Sequence, residues 1–294
     1  MKGIVLAGGS GSRLYPATMG VSKQLIPIYD KPMVYYPIST LMLAGIREIL
    51  IVSTPHDLPS YERLLGDGSR FGCNISYAVQ DEPRGLAEAF LIGESFINGE
   101  NVALVLGDNL FHGGGFSKLL MNATTHAKGS HVFGIRVADA SRYGVIETGH
   151  DGKVLSLEEK PEHPKSDIAV VGLYFFDNRV VDIAKNVTVS KRGELEITEV
   201  IQAYIDEGSL RLDILPRGLT WLDTGTHESM MQASQYVYAV EERSGVKIAC
   251  LEEIALNNGW ISVAEICAAA DRMGNGSYSG YLKRLCDEHS KNND

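Results

Sequence analysis

The sequence predicts an α/β fold: a doubly wound sheet, parallel in its first half, mixed or antiparallel in its second, with a helical C-terminal extension. Three observations predict it. From Gly3 to Leu106, short apolar runs alternate with helical stretches, a spacing that implies parallel strands joined by right-handed crossovers. From His131 the pattern becomes short strands separated by polar turns. From His227 onwards the periodicity is helical throughout.

The chain has 294 residues, room for one large α/β domain or a large one with a small companion. Hydrophobic and charged contents of 44% and 22% are ordinary for a globular protein. The net charge of −10 argues against non-specific nucleic-acid or anionic-membrane binding, although a local basic cleft can still hold an anionic substrate. Cys73, Cys250, Cys267 and Cys286 form no C-x-x-C pair. They read as free thiols of a reducing compartment, not as a zinc site. No signal peptide precedes the first strand. The most apolar region, Met33 to Ser53, is interrupted by Pro37, Gly45, Arg47 and Glu48, too broken for the ~20 apolar residues of a membrane span. The expectation is a cytoplasmic protein that binds neither nucleic acid nor membrane.

The first element, Gly3 to Ala7, is a buried strand that breaks into Gly8-Gly9-Ser10-Gly11-Ser12-Arg13. Three glycines in four positions let a backbone approach a ligand closely. Successive N–H groups in such a loop suit anionic oxygens, and Arg13 adds a fixed charge. It is neither a P-loop, which needs Gly-Lys-Ser/Thr, nor a dinucleotide fingerprint, whose third glycine would fall at Leu14. A phosphate loop and a plain tight turn both remain open. Tyr15 to Tyr29 is then a long irregular stretch carrying Lys23, either a solvated lysine or a ligand contact.

Pro32 to Ala44 reads as a helix stopped by Gly45, Glu48 to Ser53 as a second strand, Asp57 to Leu65 as a short helix, and Asn74 to Val79 as a third strand. Gln80 follows that strand and Gly85 the next turn, with a helix expected from about Leu86. At the carboxyl end of a parallel strand, Gln80 can read a base edge and Gly85 can admit a ligand; as a turn the segment needs no function. Asn101 to Leu106 is the purest buried-strand pattern and ends in Gly107-Asp108-Asn109. A carboxylate at such a strand tip suits a Mg²⁺ ligand, or alternatively caps a helix starting near Phe116.

In the second half, His131 to Val137, Arg142 to Thr148, Lys153 to Glu158 and Ile168 to Phe176 read as strands, with a hairpin turn at His150-Asp151-Gly152-Lys153. Glu158-Glu159-Lys160-Pro161 is a solvated turn by default, but Glu159 can take sugar hydroxyls and Lys160 a phosphate. Asn178 to Lys185 and Glu194 to Glu207 read as helices and Leu210 to Leu215 as a strand. Asp223, in Trp221-Leu222-Asp223-Thr224-Gly225-Thr226, repeats the strand-end setting of Asp108. Two such carboxylates meeting in one crevice make a divalent-metal site. Helices follow at about 227–243, 251–257, 262–273 and 278–289. Residues 1–226 are therefore expected as the catalytic domain, in halves of about 1–130 and 131–226, and 227–294 as a packing or oligomerisation extension.

The motifs LAGGSGSRLYP, SKQLIPIYDKPMVYYPISTLMLAGI, GLAEAF, LVLGDN, RYGVIE, LEEKP, VGLYFFD, RGELEIT and WLDTGTH span residues 6 to 227. In them the chain resembles the sugar-phosphate nucleotidylyltransferases, specifically the glucose-1-phosphate thymidylyltransferase branch. One departure is Ser12, where the family usually has threonine; the hydroxyl is kept.

The resemblance implies a Rossmann-like, GT-A-like nucleotidyltransferase fold and an in-line displacement. Glucose 1-phosphate attacks the α-phosphorus of dTTP, giving dTDP-glucose and pyrophosphate, a first step towards dTDP-rhamnose or related deoxysugars. By the same resemblance, Gly8, Gly9, Gly11, Ser12, Arg13, Gln24, Gln80, Gly85 and Asp108 bind the nucleotide. Lys23, Tyr143, Gly144, Glu159, Lys160, Val170 and Arg192 bind the sugar phosphate. Arg13, Lys23, Lys160, Asp108 and Asp223 carry the chemistry, the two aspartates through Mg²⁺, in a homotetramer. A uridylyltransferase on the same scaffold is the runner-up. A non-catalytic sugar-nucleotide-binding subunit predicts loss of Arg13, Asp108 or Asp223, and all three are present.

Overall fold

The computed structural model describes residues 1–9, 11–126, 128–149 and 152–291. The first half runs β1 (Lys2–Leu6), β2 (Pro27–Ile28), β3 (Lys31–Pro32), α1 (Tyr35–Leu43), β4 (Glu48–Ser53), α2 (Leu58–Leu65), β5 (Asn74–Val79), α3 (Glu88–Ile92), α4 (Glu94–Ile97), β6 (Val102–Leu106), β7 (Asn109–His112) and α5 (Phe116–Thr124). The second half adds β8 (Ser130–Arg136), β9 (Gly144–Thr148), β10 (Val154–Glu159), β11 (Ile168–Phe176), α6 (Val180–Lys185), α7 (Ile197–Asp206), β12 (Leu210–Ile214) and β13 (Thr220–Asp223). Four helices close the chain: α8 (His227–Ser244), α9 (Leu251–Asn257), α10 (Val263–Arg272) and α11 (Ser277–Lys291).

The main sheet runs β10-β9-β11-β6-β1-β4-β5, with β8 beside β11 and β12 beside β8. β6, β1, β4 and β5 are parallel, in a register that aligns Leu6 with both Val52 and Leu106. Their carboxyl ends therefore share one edge, where ligands bind in sheets of this kind. β11 enters antiparallel to β6, β8 and β9, and all nine of its residues are buried. Both faces of the sheet are covered, which is why its central strands are continuous apolar runs and not alternating ones. One core lies between the sheet and α1, α5 and the C-terminal helices; the other lies between the sheet and α3, α6 and α7.

Three strands coincide with the apolar runs Glu48–Ser53, Asn74–Val79 and Ile168–Phe176. α1 and α7 each start three residues later than the sequence suggests. Pro32 belongs to the β2–β3 ladder, so α1 starts at Tyr35. Leu195 is hydrogen-bonded across to Arg84 and Ala87, which delays α7 to Ile197. β7 was not anticipated: it follows β6 after two residues and pairs with β13 in a separate two-stranded ribbon. Consequently Asp108 is not a helix cap; α5 begins at Phe116 behind Gly115. Of the expected hairpin turn, His150 and Asp151 lie outside the described residues.

The expectation of four free thiols is corrected. Cys267 in α10 and Cys286 in α11 are joined in a disulfide, their Cα atoms 5.9 Å apart; Cys73 and Cys250 are free and buried. Spacing 19 residues apart hid the pair, because two packed helices bring it together. α8 begins with a Thr226–Ser229 capping box. Its Ala233 and Val237 pack with Ile28, Met33, Tyr36 and Leu110 of the first half. Among the described residues no helix is long and apolar enough to cross a membrane.

Candidate active site

At the end of β1 the Ala7 N–H still donates to the Val52 carbonyl at 2.8 Å, and the chain then leaves the sheet. Gly9 and Gly11 take φ of 107° and 58°, conformations that a side chain disfavours. Gly11 starts a 3-10 turn over Ser12–Leu14, held by the Thr18 hydroxyl on the Gly11 carbonyl at 2.7 Å. Leu14 is fully buried and anchors the turn, so a third glycine there would remove its root. Gly9, Gly11, Ser12 and Arg13 face a cleft of about 560 Å³ that runs along the strand ends.

Asp108 stands beside that loop: the Gly107 N–H donates to the Leu6 carbonyl at 2.9 Å. Lys23, brought over by a 3-10 turn, donates to Asp108 Oδ2. Asn109, 3% exposed, gives its amide N–H to Asp108 Oδ1 at 3.0 Å. Its Oδ1 accepts from the Gly172 N–H at 3.1 Å and the Trp221 indole N–H at 2.5 Å. The ribbon sets Asp223 opposite Asn109, and Thr224 donates its N–H and its hydroxyl to the Asp108 carbonyl at 3.1 and 2.8 Å. Burial works against ionisation of Asp108, yet the Lys23 ammonium outweighs it and holds the carboxyl below the usual range. For Asp223, burial and then the Asp108 charge push the carboxyl up, beyond what Lys23 and Arg142 recover. One strand-end carboxylate is ionised and partnered; the other is left short of positive charge.

The far wall comes from the second half. Gly144 opens β9 and Glu159 closes β10. Lys160, at φ 46°, donates its N–H to the Tyr143 carbonyl at 3.0 Å. A lysine held in this sparsely populated region is strained, and the turn directs it towards Glu159, 3.1 Å away. Arg192 lies 3.5 Å from Glu159, 3.5 Å from Glu194 and 3.6 Å from Glu196. Tyr143 meets Trp221 edge to face at 5.2 Å, and Val170 completes the wall.

The cleft thus gathers Gly9, Gly11, Ser12, Arg13, Lys23, Asp108, Tyr143, Gly144, Glu159, Lys160, Val170, Arg192 and Asp223. Gly8, Gln24, Gln80 and Gly85 are not among the residues that line it. Gln80 is buried and donates to Glu88 at 2.8 Å; a Cβ on Gly8 would sit 2.8 Å from Gln80 Oε1. Gln24 is buried and accepts from Ser22 at 2.9 Å. Gly85, at φ 112°, is where the chain crosses Leu195, whose carbonyl oxygen would be 2.4 Å from a Cβ. Sequence reasoning assigned no role to Asn109, Arg142, Tyr174, Glu194, Glu196 or Trp221, all of which line the cleft. All six sit inside the motifs quoted above, but each gets its place from a strand pairing or turn that the motif does not spell out.

The donor set fits a hard divalent cation. No group of three or more His, Cys, Asp or Glu able to hold a metal occurs among the described residues. Two carboxylates nevertheless line the same cleft, one of them starved of positive charge. Mg²⁺ takes one or two carboxylates and completes its shell with phosphate oxygens and water.

Residues 2–239 match the nucleotidyl transferase family. The chain is similar to a Neisseria meningitidis glucose-1-phosphate thymidylyltransferase, 55% identical over 285 residues, 97% of this chain and 99% of the relative. Among solved structures it resembles a Bacillus anthracis protein provisionally named glucose-1-phosphate thymidylyltransferase and bound to sucrose. That likeness has a TM-score of 0.75 at 36% identity, over 80% of this chain and 94% of the other. A UDP-glucose pyrophosphorylase complexed with UDP-glucose has a TM-score of 0.72 at 26% identity, over 81% and 98%.

Proposed function

This chain belongs to the nucleotidyl transferase family, and within it to the glucose-1-phosphate thymidylyltransferases, and on that premise we propose how its cleft works. It transfers a thymidylyl group from dTTP to glucose 1-phosphate. A phosphate oxygen of the sugar attacks the α-phosphorus, the bond to the β-phosphate breaks, and pyrophosphate leaves with that electron pair. The observation that carries this reading is a single cleft with Arg13, Lys23, Lys160 and Arg192 set around two strand-end carboxylates, in a chain whose net charge is −10.

Such a displacement needs little covalent help; positioning and charge neutralisation supply the acceleration. Gly9, Gly11 and Ser12 cradle the triphosphate through their backbone N–H groups, and Arg13 neutralises charge on the leaving pyrophosphate. Lys23 holds phosphate oxygens from the opposite side. Lys160 and Arg192 orient the attacking phosphate, while Glu159, Tyr143, Gly144 and Val170 hold the sugar. Asp108 and Asp223 would hold Mg²⁺, which supplies charge neutralisation between the two phosphate groups. Gln24, Gln80 and Gly85 serve the nucleotide from outside the cleft lining, by fixing Gly8 and the loops on either side of it. In this reading residues 1–226 carry the chemistry, 227–294 packing and assembly, and the protein works as a cytoplasmic homotetramer.

The test is pyrophosphate release across a panel of nucleoside triphosphates and sugar 1-phosphates with Mg²⁺. Turnover is expected with dTTP and glucose 1-phosphate, and its absence overturns the proposal. The likeness to a UDP-glucose pyrophosphorylase makes UTP the second arm; a higher kcat/KM for UTP than for dTTP would assign uridylyl transfer instead. Gel filtration with light scattering tests the tetramer.

A further inference from the structure

Away from the cleft, four charged side chains close a buried ring. Asp30 Oδ1 contacts Lys31 Nζ at 2.5 Å, and Lys31 reaches Glu241 Oε1 at 2.9 Å. Glu241 Oε2 accepts from Lys247 at 2.8 Å, and Lys247 returns to Asp30 Oδ2. The charges alternate and cancel, and no side chain of the four is more than 9% exposed. The Ile248 N–H adds a bond to Glu241 Oε1 at 2.9 Å. Lys31 lies over the Tyr36 ring at 5.3 Å, and Lys247 over that of Tyr29 at 5.9 Å.

A buried ion network is a poor stabiliser, because desolvation offsets most of the attraction and apolar residues of equal volume commonly do as well. Its distinguishing property is register: only one placement of residues 30 and 31 against 241 and 247 satisfies every charge. The hairpin tip so gripped belongs to the segment that carries Lys23. The Ile26 N–H donates to the Lys23 carbonyl at 3.1 Å, the Met33 N–H to the Ile26 carbonyl at 3.0 Å, and the Val34 N–H to the Gln24 carbonyl at 2.8 Å. Ile28 and Met33 pack against Val237 and Ile248 on the side of the C-terminal helices. From the ring to the Lys23–Asp108 contact there is one continuous run of hydrogen-bonded backbone.

We propose that the Asp30–Lys31–Glu241–Lys247 ring is a positioning device for Lys23. It holds the β2–β3 hairpin in the register that sets Lys23 against Asp108, and so makes α8 and the turn after it part of the phosphate-binding apparatus. The inference rests on the thymidylyl-transfer reading for its probe, dTTP.

A double-mutant cycle in the full chain tests it, with dTTP affinity from calorimetry as the readout. Glu241→Gln opens the ring and Lys23→Ala removes the group it serves. With circular dichroism showing folded variants, Glu241→Gln is expected to weaken dTTP binding about tenfold. In the Lys23→Ala background the same substitution is expected to change dTTP affinity less than about twofold. Equal losses in both backgrounds, or unaltered affinity in folded Glu241→Gln, overturn the proposal. Should Glu241→Gln not fold, the neutral pair Glu241→Gln with Lys247→Met replaces it under the same criteria. Turnover of dTTP by the unaltered chain is measured separately, so a wrong substrate shows there and not in the cycle.

Discussion

Asp223 sits opposite Asn109 across a two-stranded ribbon, and Asn109 is the residue that bonds Asp108 at 3.0 Å. The two strand-end carboxylates are thus spaced by one cross-strand pair, although Asp108 and Asp223 are 115 positions apart in the chain. Their electrostatic fates differ because Lys23 hydrogen-bonds Asp108 and only partly offsets burial and like charge at Asp223.

That difference predicts opposite stability effects. Folded Asp223 binds its proton more tightly than the unfolded chain does, so folding stability falls as pH rises through its raised folded pKa. Asp223→Asn removes this cost. Its Tm at neutral pH in chelator is expected to equal or exceed that of the unaltered chain, while turnover drops at least about a hundredfold. Asp108→Asn instead strands Lys23 and is expected to lower both. Calorimetry and pyrophosphate release decide; a near-normal rate in either variant removes that residue from the metal-ligand role.

Asn109→Leu keeps the branched heavy-atom outline and deletes three hydrogen bonds. It leaves the Gly172 N–H and the Trp221 indole N–H without their acceptor, at about 1–3 kcal/mol for each buried group. A denaturant midpoint shift of that size is expected, with reduced turnover as Asp108 loses its lateral partner. An unshifted midpoint would show that Asn109 does not brace the ribbon.

Gly85 and Gly193 separate space from backbone conformation. A Cβ at Gly85 would meet the Leu195 backbone at 2.4 and 2.5 Å, whereas Gly193, at φ 79°, has nothing within 4 Å. Gly193→Ala should cost about 1 kcal/mol from its conformation alone, and Gly85→Ala more than about 3 kcal/mol. Comparable urea midpoints for the two would refute the close crossing.

Acid sensitivity should trace in part to His131, on β8. Burial, resisted by the Asp213 carboxylate, drives its pKa down from 6.5 to about 4. The unfolded chain takes up that proton first, so stability is lost as pH falls from about 6.5 towards 4, and the loss levels off below. The slope is at most about 1.4 kcal/mol per pH unit. His131→Gln is expected to flatten the decline over this window, read from urea midpoints at successive pH values.

What was legible in the sequence follows from what is local. Runs such as Glu48–Ser53 and Ile168–Phe176 are buried nearly end to end, so an apolar stretch bounded by turns marks them without tertiary knowledge. The strand-end placement of Asp108 and of the glycine loop was likewise readable, since parallel strands put their carboxyl ends on one edge. β7 was not, because Asn-Leu-Phe-His is too short to carry a period and becomes a strand only by pairing with β13. Gln80 presents the same amide in sequence whether it reads a ligand or donates to Glu88. The Cys267–Cys286 bridge arises from helix packing and the Asp30–Glu241 ring from a hairpin docked on the end of α8, and no spacing encodes either.

β11 contributes Val170 to one end of the cleft wall and Tyr174 to the other, with Gly172 between them. Since every second residue of a strand points the same way, these three line one face, and the pairing with β8 shifts register between Val170 and Tyr174. The same strand pairs with β6 through Leu173–Phe176, with β8 at Ile168–Val170 and again at Tyr174–Phe176, and with β9 at Ala169. The two halves of the chain are therefore joined along one buried strand. Changing the span between what the first half grips and what the second half grips would require re-registering a fully buried strand. Insertions in the surface loops leave that span untouched, while one added residue within Ile168–Phe176 would turn every side chain beyond it to the opposite face.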